Sequence, residues 1–68
     1  MKNIILEFTL NGKKHTNLRR IDFYGEPIVT RIKENARKFD NTQIKYLISK
    51  LILKYGKNNI RDFNIING

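Results

Sequence analysis

The chain has 68 residues, which is enough for one domain, predicted to span residues 1–68. It has no cysteine and a single histidine, so a disulfide framework and a thiolate or multi-histidine metal site are excluded, and no cofactor is expected. A core of this size supplies only about 3–5 kcal/mol of stability, which favours a homodimer. With 14 Lys and Arg against 6 Asp and Glu, the net charge of +8 indicates an anionic partner.

The bias of the composition offers a second explanation of this charge. Ile, Asn and Lys (11, 9 and 9 residues) make 29 of the 68 positions, and A/T-rich codons favour these three types. Part of the charge can therefore reflect codon usage, although the five arginines fit that explanation less well than the nine lysines. The hydrophobic content of 40% is too high for a disordered basic tail.

The first predicted element is a half-buried strand over Ile4 to Leu10, where apolar and other residues alternate with period two. Asn11-Gly12 follows, the strongest short signal for a type I′ hairpin turn. A hairpin returning through residues 13–16 is one interpretation, and a basic loop from Asn11 to Asn17 is the other, because the returning residues are polar. A second strand is predicted over Leu18–Tyr24.

Two helices are predicted next. Pro27 suits the first helical position, and apolar residues from Ile28 to Phe39 form one stripe at helical spacing. Asp40 and Gln43 then have capping-box spacing before a second helix over Ile44–Tyr55, with Gly56 as its C-cap. Because this helix is apolar around more than half its girth, two packing partners are expected, and one of them can be another chain.

The last segment, residues 60–66, has an imperfect alternation that leaves a third strand open. The predicted fold class is therefore α+β, a small β-β-α-α(-β) domain. No apolar run approaches the ~20 residues of a membrane span, and Glu7 interrupts the N-terminal apolar stretch where a signal peptide would continue. We therefore expect a cytoplasmic protein with no membrane partner.

The side chains that enzymes use are scarce in this sequence. His15 is the sole histidine, Ser49 is the sole serine and lies on a predicted helix, and the glycines form no phosphate-binding loop. We therefore expect no enzyme activity and no catalytic residue, and we interpret His15 as a loop residue in a basic stretch.

The positive charge carries the main functional signal. Lys13, Lys14, Arg19 and Arg20 fall within eight residues, around a predicted turn and strand. Such side chains neutralise phosphates and release counterions, and arginine on a strand can reach guanine in the major groove of DNA. The alternative is a solvated hairpin tip whose lysines protect a strand edge from aggregation.

Residues 18–56 resemble the ribbon-helix-helix family of small dimeric DNA-binding proteins. Leu18–Tyr24 is similar to the family's strand, Pro27 to Phe39 to its first helix, and Ile44 to Tyr55 to its second helix. The resemblance implies that two protomers pair their strands into a ribbon that enters the major groove. By position, the exposed face would be Arg20, Asp22 and Tyr24 if Ile21 and Phe23 point to the core. Backbone N–H groups near Asn41 and Thr42 would bind a phosphate.

The sequence therefore predicts a basic DNA-binding protein, a dimeric transcriptional regulator of a mobile element, plasmid or phage. Its nucleic-acid-binding residues would be Lys13, Lys14, Arg19, Arg20, Tyr24, Asn41 and Thr42. The alternative is a protein-interaction module or phage-encoded inhibitor that docks on an acidic host protein, using an exposed strand edge at Ile4 to Leu10. RNA binding is a third possibility, with Phe23 and Tyr24 available for stacking.

Overall fold

The computed structural model describes residues 3–67, which form a small α+β domain with a curled antiparallel sheet and one α-helix. This confirms the predicted α+β class. The elements are β1 (Asn3–Leu10), β2 (Lys13–Ile21), β3 (Pro27–Thr30), β4 (Phe39–Asp40), α1 (Ile44–Tyr55) and β5 (Ile60–Asn67). Two 3-10 turns, Lys33–Asn35 and Asn41–Gln43, flank β4.

Strand β1 is the centre of the sheet, and every pairing of the sheet is antiparallel. Strand β5 runs along one edge of β1, with pairs from Ile4↔Asn67 to Leu10↔Ile60. Strands β2 and β4 share the opposite edge, and β3 pairs with the far side of β2. The C-terminal segment is therefore a strand of the main sheet. The expected free edge at Ile4 to Leu10 was wrong, because both edges of β1 carry partners.

The core lies between β1 and α1. Alternate residues of β1 enter it as the sequence predicts, and they meet Leu47 and Leu51 of the helix. The buried apolar cluster comprises Ile4, Leu6, Phe8, Leu10, Leu18, Phe39, Leu47, Leu51 and Ile60. Ile5 and Thr9, on the other face of β1, are also buried. The strand is therefore more deeply buried than the half-buried strand that its alternation predicts, because it is flanked on both sides.

Helix α1 has the predicted bounds, Ile44–Tyr55, and Gly56 is its C-cap, with a φ of 88°. Its N-terminus differs from the capping-box prediction. The Asp40 carboxylate accepts a hydrogen bond from the Thr42 N–H at 3.1 Å, and so it caps the short 3-10 turn that precedes the helix. Gln43, the residue before α1, makes no side-chain cap.

The first predicted helix, Pro27 to Phe39, was wrong. Pro27–Thr30 is the strand β3, and it pairs with β2 through Leu18↔Val29 and Arg20↔Ile28. The β-branched run Ile28-Val29-Thr30 favours a strand, and pairing with β2 satisfies its backbone. Phe39, the last residue of the supposed stripe, instead pairs with Ile4 as part of β4. The observed order is therefore β-β-β-β-α-β, with β4 only two residues long.

The Asn11-Gly12 turn confirms the hairpin interpretation over the basic loop. Both residues have positive φ, 51° and 80°, as a type I′ turn requires. The second strand was predicted from Leu18 to Tyr24 but runs from Lys13 to Ile21.

Two polar side chains of β2 lie next to apolar β1 and form hydrogen bonds with the backbone of β2 itself, at a β-bulge. Thr16 lies opposite Phe8 and donates to the Lys13 carbonyl at 3.0 Å, and the Asn17 amide donates to the carbonyl of His15 at 3.2 Å. His15 itself has a φ of 61° and lies at this bulge.

Replacing Gly12 by alanine is expected to lower the free energy of unfolding by about 1–2 kcal/mol. A Cβ atom at Gly12 would meet nothing within 4 Å, so the cost arises from the left-handed backbone alone. Urea unfolding measures the change. Asn11→Gly is the control, because glycine tolerates positive φ, and its effect should stay below about 1 kcal/mol. An equal loss in both variants would contradict a turn-specific effect at Gly12.

Candidate nucleic-acid interface

A second irregularity of β2 exposes two successive arginines. The register between β2 and β3 shifts between Leu18 and Arg20, as in a β-bulge. In a regular strand, successive side chains point to opposite faces. Here both Arg19 and Arg20 are exposed, while Leu18 before them is fully buried. The bulge therefore presents two guanidinium groups to solvent directly after three buried residues, 16–18.

A long-range backbone hydrogen bond adds further cations beside these arginines. The Arg37 N–H donates to the Arg19 carbonyl at 3.0 Å, which holds the segment before β4 against the end of β2. A groove of about 380 Å³ opens there, lined by Ile21, Arg37, Lys38, Phe39, Asp40, Gln43, Tyr46 and Leu47. Arg37 and Lys38 line this groove, and Arg19 and Arg20 directly precede Ile21, which also lines it. We call these four basic residues the groove cluster. The sequence predicts Arg19 and Arg20 but not Arg37 and Lys38, which fall within the incorrectly predicted first helix.

The predicted phosphate contacts at Asn41 and Thr42 lie at the rim of the same groove. Both residues belong to the 3-10 turn Asn41–Gln43, and its neighbour Asp40 and its last residue Gln43 line the groove. The Thr42 N–H, however, already donates to the Asp40 carboxylate. Asn41 and Thr42 can therefore contribute exposed side chains at this rim, but the Thr42 N–H is not a free donor for a phosphate.

Lys13 and Lys14 lie at the other end of β2, where a third cation joins them. The Arg31 Nη2 donates to the Lys14 carbonyl at 3.4 Å, and a groove of about 280 Å³ is lined by both Lys13 and Arg31. We call Lys13, Lys14 and Arg31 the hairpin cluster. Lys14 and Arg20 are six steps apart along β2, which is at most about 20 Å in an extended strand. The predicted basic site is thus two clusters at opposite ends of one strand.

The cations of both clusters make no ion pair with a carboxylate of the described chain, although Asp40 lines the same groove as Arg37 and Lys38. Within residues 3–67, two basic side chains lie close to a carboxylate: His15 Nδ1 is 3.4 Å from Glu7 and Arg61 Nε is 3.8 Å from Asp62. Among these residues, no carboxylate lies within 4.0 Å of a charged nitrogen of the groove cluster or the hairpin cluster. Like charges held near one another without counterions attract anions, and exposed guanidinium groups suit phosphate oxygens.

Tyr24 is exposed, but not on a strand as predicted. Strand β2 ends at Ile21, and Tyr24 belongs to the turn that leads to β3. The condition for that exposed face, that Phe23 points to the core, is not met, because its side chain is 95% exposed. The strand stops here because the Asp22 carboxylate accepts hydrogen bonds from the backbone of Tyr24 and Glu26, at 2.9 and 2.8 Å, and so fixes a turn.

Comparison of the chain with family models, curated proteins and solved structures finds no significant match. The interpretation of the site therefore depends on its own geometry. No helix among the described residues is long and apolar enough to cross a membrane. Arg31, Arg37 and Lys38 are the cations that sequence reasoning did not assign to the site. The β-branched run at Ile28–Thr30 was the signal that argued against a helix there.

Proposed function

We propose that this protein binds double-stranded DNA through the groove cluster and the hairpin cluster, which lie at the two ends of β2. The observation that carries the proposal is the set of seven exposed cations with no carboxylate partner in the described chain. Binding of this kind depends on phosphate neutralisation, so it needs charge and spacing more than a preformed pocket.

The spacing of the two clusters suits a duplex. Phosphates follow one DNA strand at about 3.4 Å per step, so clusters at most about 20 Å apart span at most about six steps. The longest dimension of the protein is 31 Å, which corresponds to about nine base pairs. One molecule can therefore contact phosphates with both clusters without a large change of shape.

Duplex binding is expected to weaken steeply with salt. If all seven cations contact phosphates, the slope of log affinity against log salt concentration is about −6. Substituting Arg19 and Arg20 together by alanine should make this slope shallower by about two units and abolish retention on the duplex at physiological salt. Fluorescence anisotropy with a labelled random duplex longer than the protein measures both quantities, and circular dichroism checks that the variant remains folded.

A matched control removes the same charge elsewhere. Lys45 and Lys57 are exposed and lie outside both clusters, so Lys45→Ala/Lys57→Ala has the same net charge as the arginine variant. We expect this control to retain most of the affinity. If the two double variants bind equally well, the assignment to β2 is wrong; if the unmodified protein shows no salt-dependent duplex binding, the proposed function is wrong.

We propose more specifically that the protein is a dimeric transcriptional regulator of a mobile element, plasmid or phage. Arginines on a strand are the feature that supports it. A ribbon-helix-helix dimer would need Leu18–Tyr24 to pair with a second copy, and this segment contains the end of β2, which pairs with β3. DNA binding by exposed cations does not require that rearrangement. Light scattering with and without the duplex tests the homodimer separately.

The alternative function is docking on an acidic host protein. The same seven cations favour it, together with the exposed aromatic residues after β2. Strand addition at β1 is not the route, because β5 occupies that edge. A pull-down after nuclease treatment tests this function. It is favoured over DNA binding if the protein recovers one acidic partner in equimolar amount and does not retain duplex DNA.

A further inference from the structure

The turn between β2 and β3 holds two aromatic rings out in solvent. Besides the two bonds to the Asp22 carboxylate, the Asp22 N–H donates to the Glu26 carbonyl at 2.9 Å and the Gly25 N–H donates to the Asp22 carbonyl at 3.0 Å. Gly25 has a φ of 80°, which a glycine adopts without strain. The backbone of the turn is thus fixed, and it carries Phe23 and Tyr24 at its tip.

These rings are exposed to an extent that packing cannot explain. Phe23 is 95% exposed and Tyr24 is 85% exposed, and their rings contact each other edge to face at a centroid distance of 5.5 Å. Apart from the face that this mutual contact covers, the ring faces are open to a planar partner. An exposed aromatic pair on a fixed turn loses little conformational entropy when it binds, since the backbone is already ordered.

Cations border the aromatic pair from the helix side. A Cβ atom on Gly25 would lie 3.5 Å from the Lys50 Nζ, so this ammonium group lies at the turn itself. Lys54 donates to the Pro27 carbonyl at 3.0 Å, immediately after the turn. The two carboxylates of the turn are those of Asp22, which is engaged in backbone hydrogen bonds, and Glu26, which is exposed.

We propose that Phe23 and Tyr24 are a stacking platform for unpaired nucleotide bases, with Lys50, whose Nζ lies at the turn, binding the phosphates beside them. This inference rests on the proposed nucleic-acid binding and extends it to single-stranded segments. Every base has a planar face that stacks on an aromatic ring, and a nearby cation neutralises the backbone that joins the bases. The cations that border the rings suit a polyanionic occupant.

The test compares single-stranded and duplex binding of the full chain. Labelled oligo(dT), oligo(rU) and a random duplex are titrated with the unmodified protein and with Phe23→Ala/Tyr24→Ala. Each of the two aromatic side chains that this variant lacks should account for a loss of oligonucleotide affinity of about 5- to 140-fold. This loss corresponds to about 1–3 kcal/mol per stacked base. Duplex affinity should change less than about 2-fold, because phosphate contacts dominate it. The variant Phe23→Tyr/Tyr24→Phe keeps both rings and should keep oligonucleotide affinity.

Each outcome has one meaning. If the unmodified protein binds oligo(dT), oligo(rU) or both, and the alanine variant loses that binding selectively, the platform is supported and the preferred sugar is identified. If the duplex binds but the oligonucleotides do not, or if the alanine variant keeps its oligonucleotide affinity, the platform is wrong while the proposed function stands. If neither the duplex nor the oligonucleotides bind, both are wrong. Leu53 is 82% exposed on the neighbouring helix. If Leu53→Ala weakens oligonucleotide binding as much as the double variant does, the base contact is not specific to the two aromatic rings, and the platform is wrong.

Discussion

Replacing Phe8 by alanine is expected to leave the protein unfolded at room temperature. Phe8 is 1% exposed, it lies on the central strand, and its ring packs against Phe63 at a centroid distance of 5.8 Å. Deleting a buried phenylalanine side chain costs about 3–5 kcal/mol, which is comparable with the whole stability expected of a core this small. Far-UV circular dichroism and urea unfolding measure the loss.

The sequence supplies a control of the same residue type. Phe23→Ala removes an identical side chain that makes no contribution to the core, so the free energy of unfolding should change by about 0.5 kcal/mol or less. A Phe8→Ala protein that still unfolds cooperatively, at a urea concentration close to that of Phe23→Ala, would show that the core does not depend on this residue.

Deleting the chain from Ile60 onward is expected to abolish folding and to cause aggregation. The deletion removes β5, and with it the partner of β1 from Ile4 to Leu10. It also removes Ile60, which is 2% exposed, and Phe63, so the core opens at the same time. The freed edge is a row of unpaired N–H and C=O groups that can pair with another chain. Circular dichroism and gel filtration measure both effects.

Ile65→Ala is the matched control for the role of β5. Ile65 lies on the same strand opposite Leu6, but its side chain is 47% exposed, so the variant should fold with only a modest loss of stability. A truncated chain that elutes as a monomer and keeps the helical signal of α1 would mean that β5 is dispensable, contrary to the sheet described above.

The elements that the sequence predicts well are those with a complete local signal. The alternation from Ile4 to Leu10, the Asn11-Gly12 dipeptide and the helical pattern from Ile44 to Tyr55 each contain their own start, period and stop. Residues 27–39 lack this property. Their apolar positions fit a helical stripe, but Ile28-Val29-Thr30 also fits a strand, and pairing with β2 decides between the two.

The basic site was predictable where it depends on neighbours in sequence. Arg19 and Arg20 are adjacent, and so are Lys13 and Lys14, so their clustering can be read from the chain. Arg37 joins the first pair only through a backbone hydrogen bond that spans eighteen positions, and no local pattern encodes that contact. The bulge that exposes both Arg19 and Arg20 likewise depends on the register with β3.

The position of β1 at the centre of the sheet has a consequence for how the protein is made. Among the described elements, β1 is synthesised before all the others, and its partner along one whole edge, β5, is synthesised after them. At about 5–20 residues per second, ribosomes need roughly 3–12 s to pass from Leu10 to Asn67. During that time the apolar strand β1 lacks its partner along one edge. The pairing of β1 with β5 is among the most non-local contacts in the chain, so it forms late. Production in cells should therefore be more sensitive to translation speed and to chaperone supply than the stability of the finished protein would indicate.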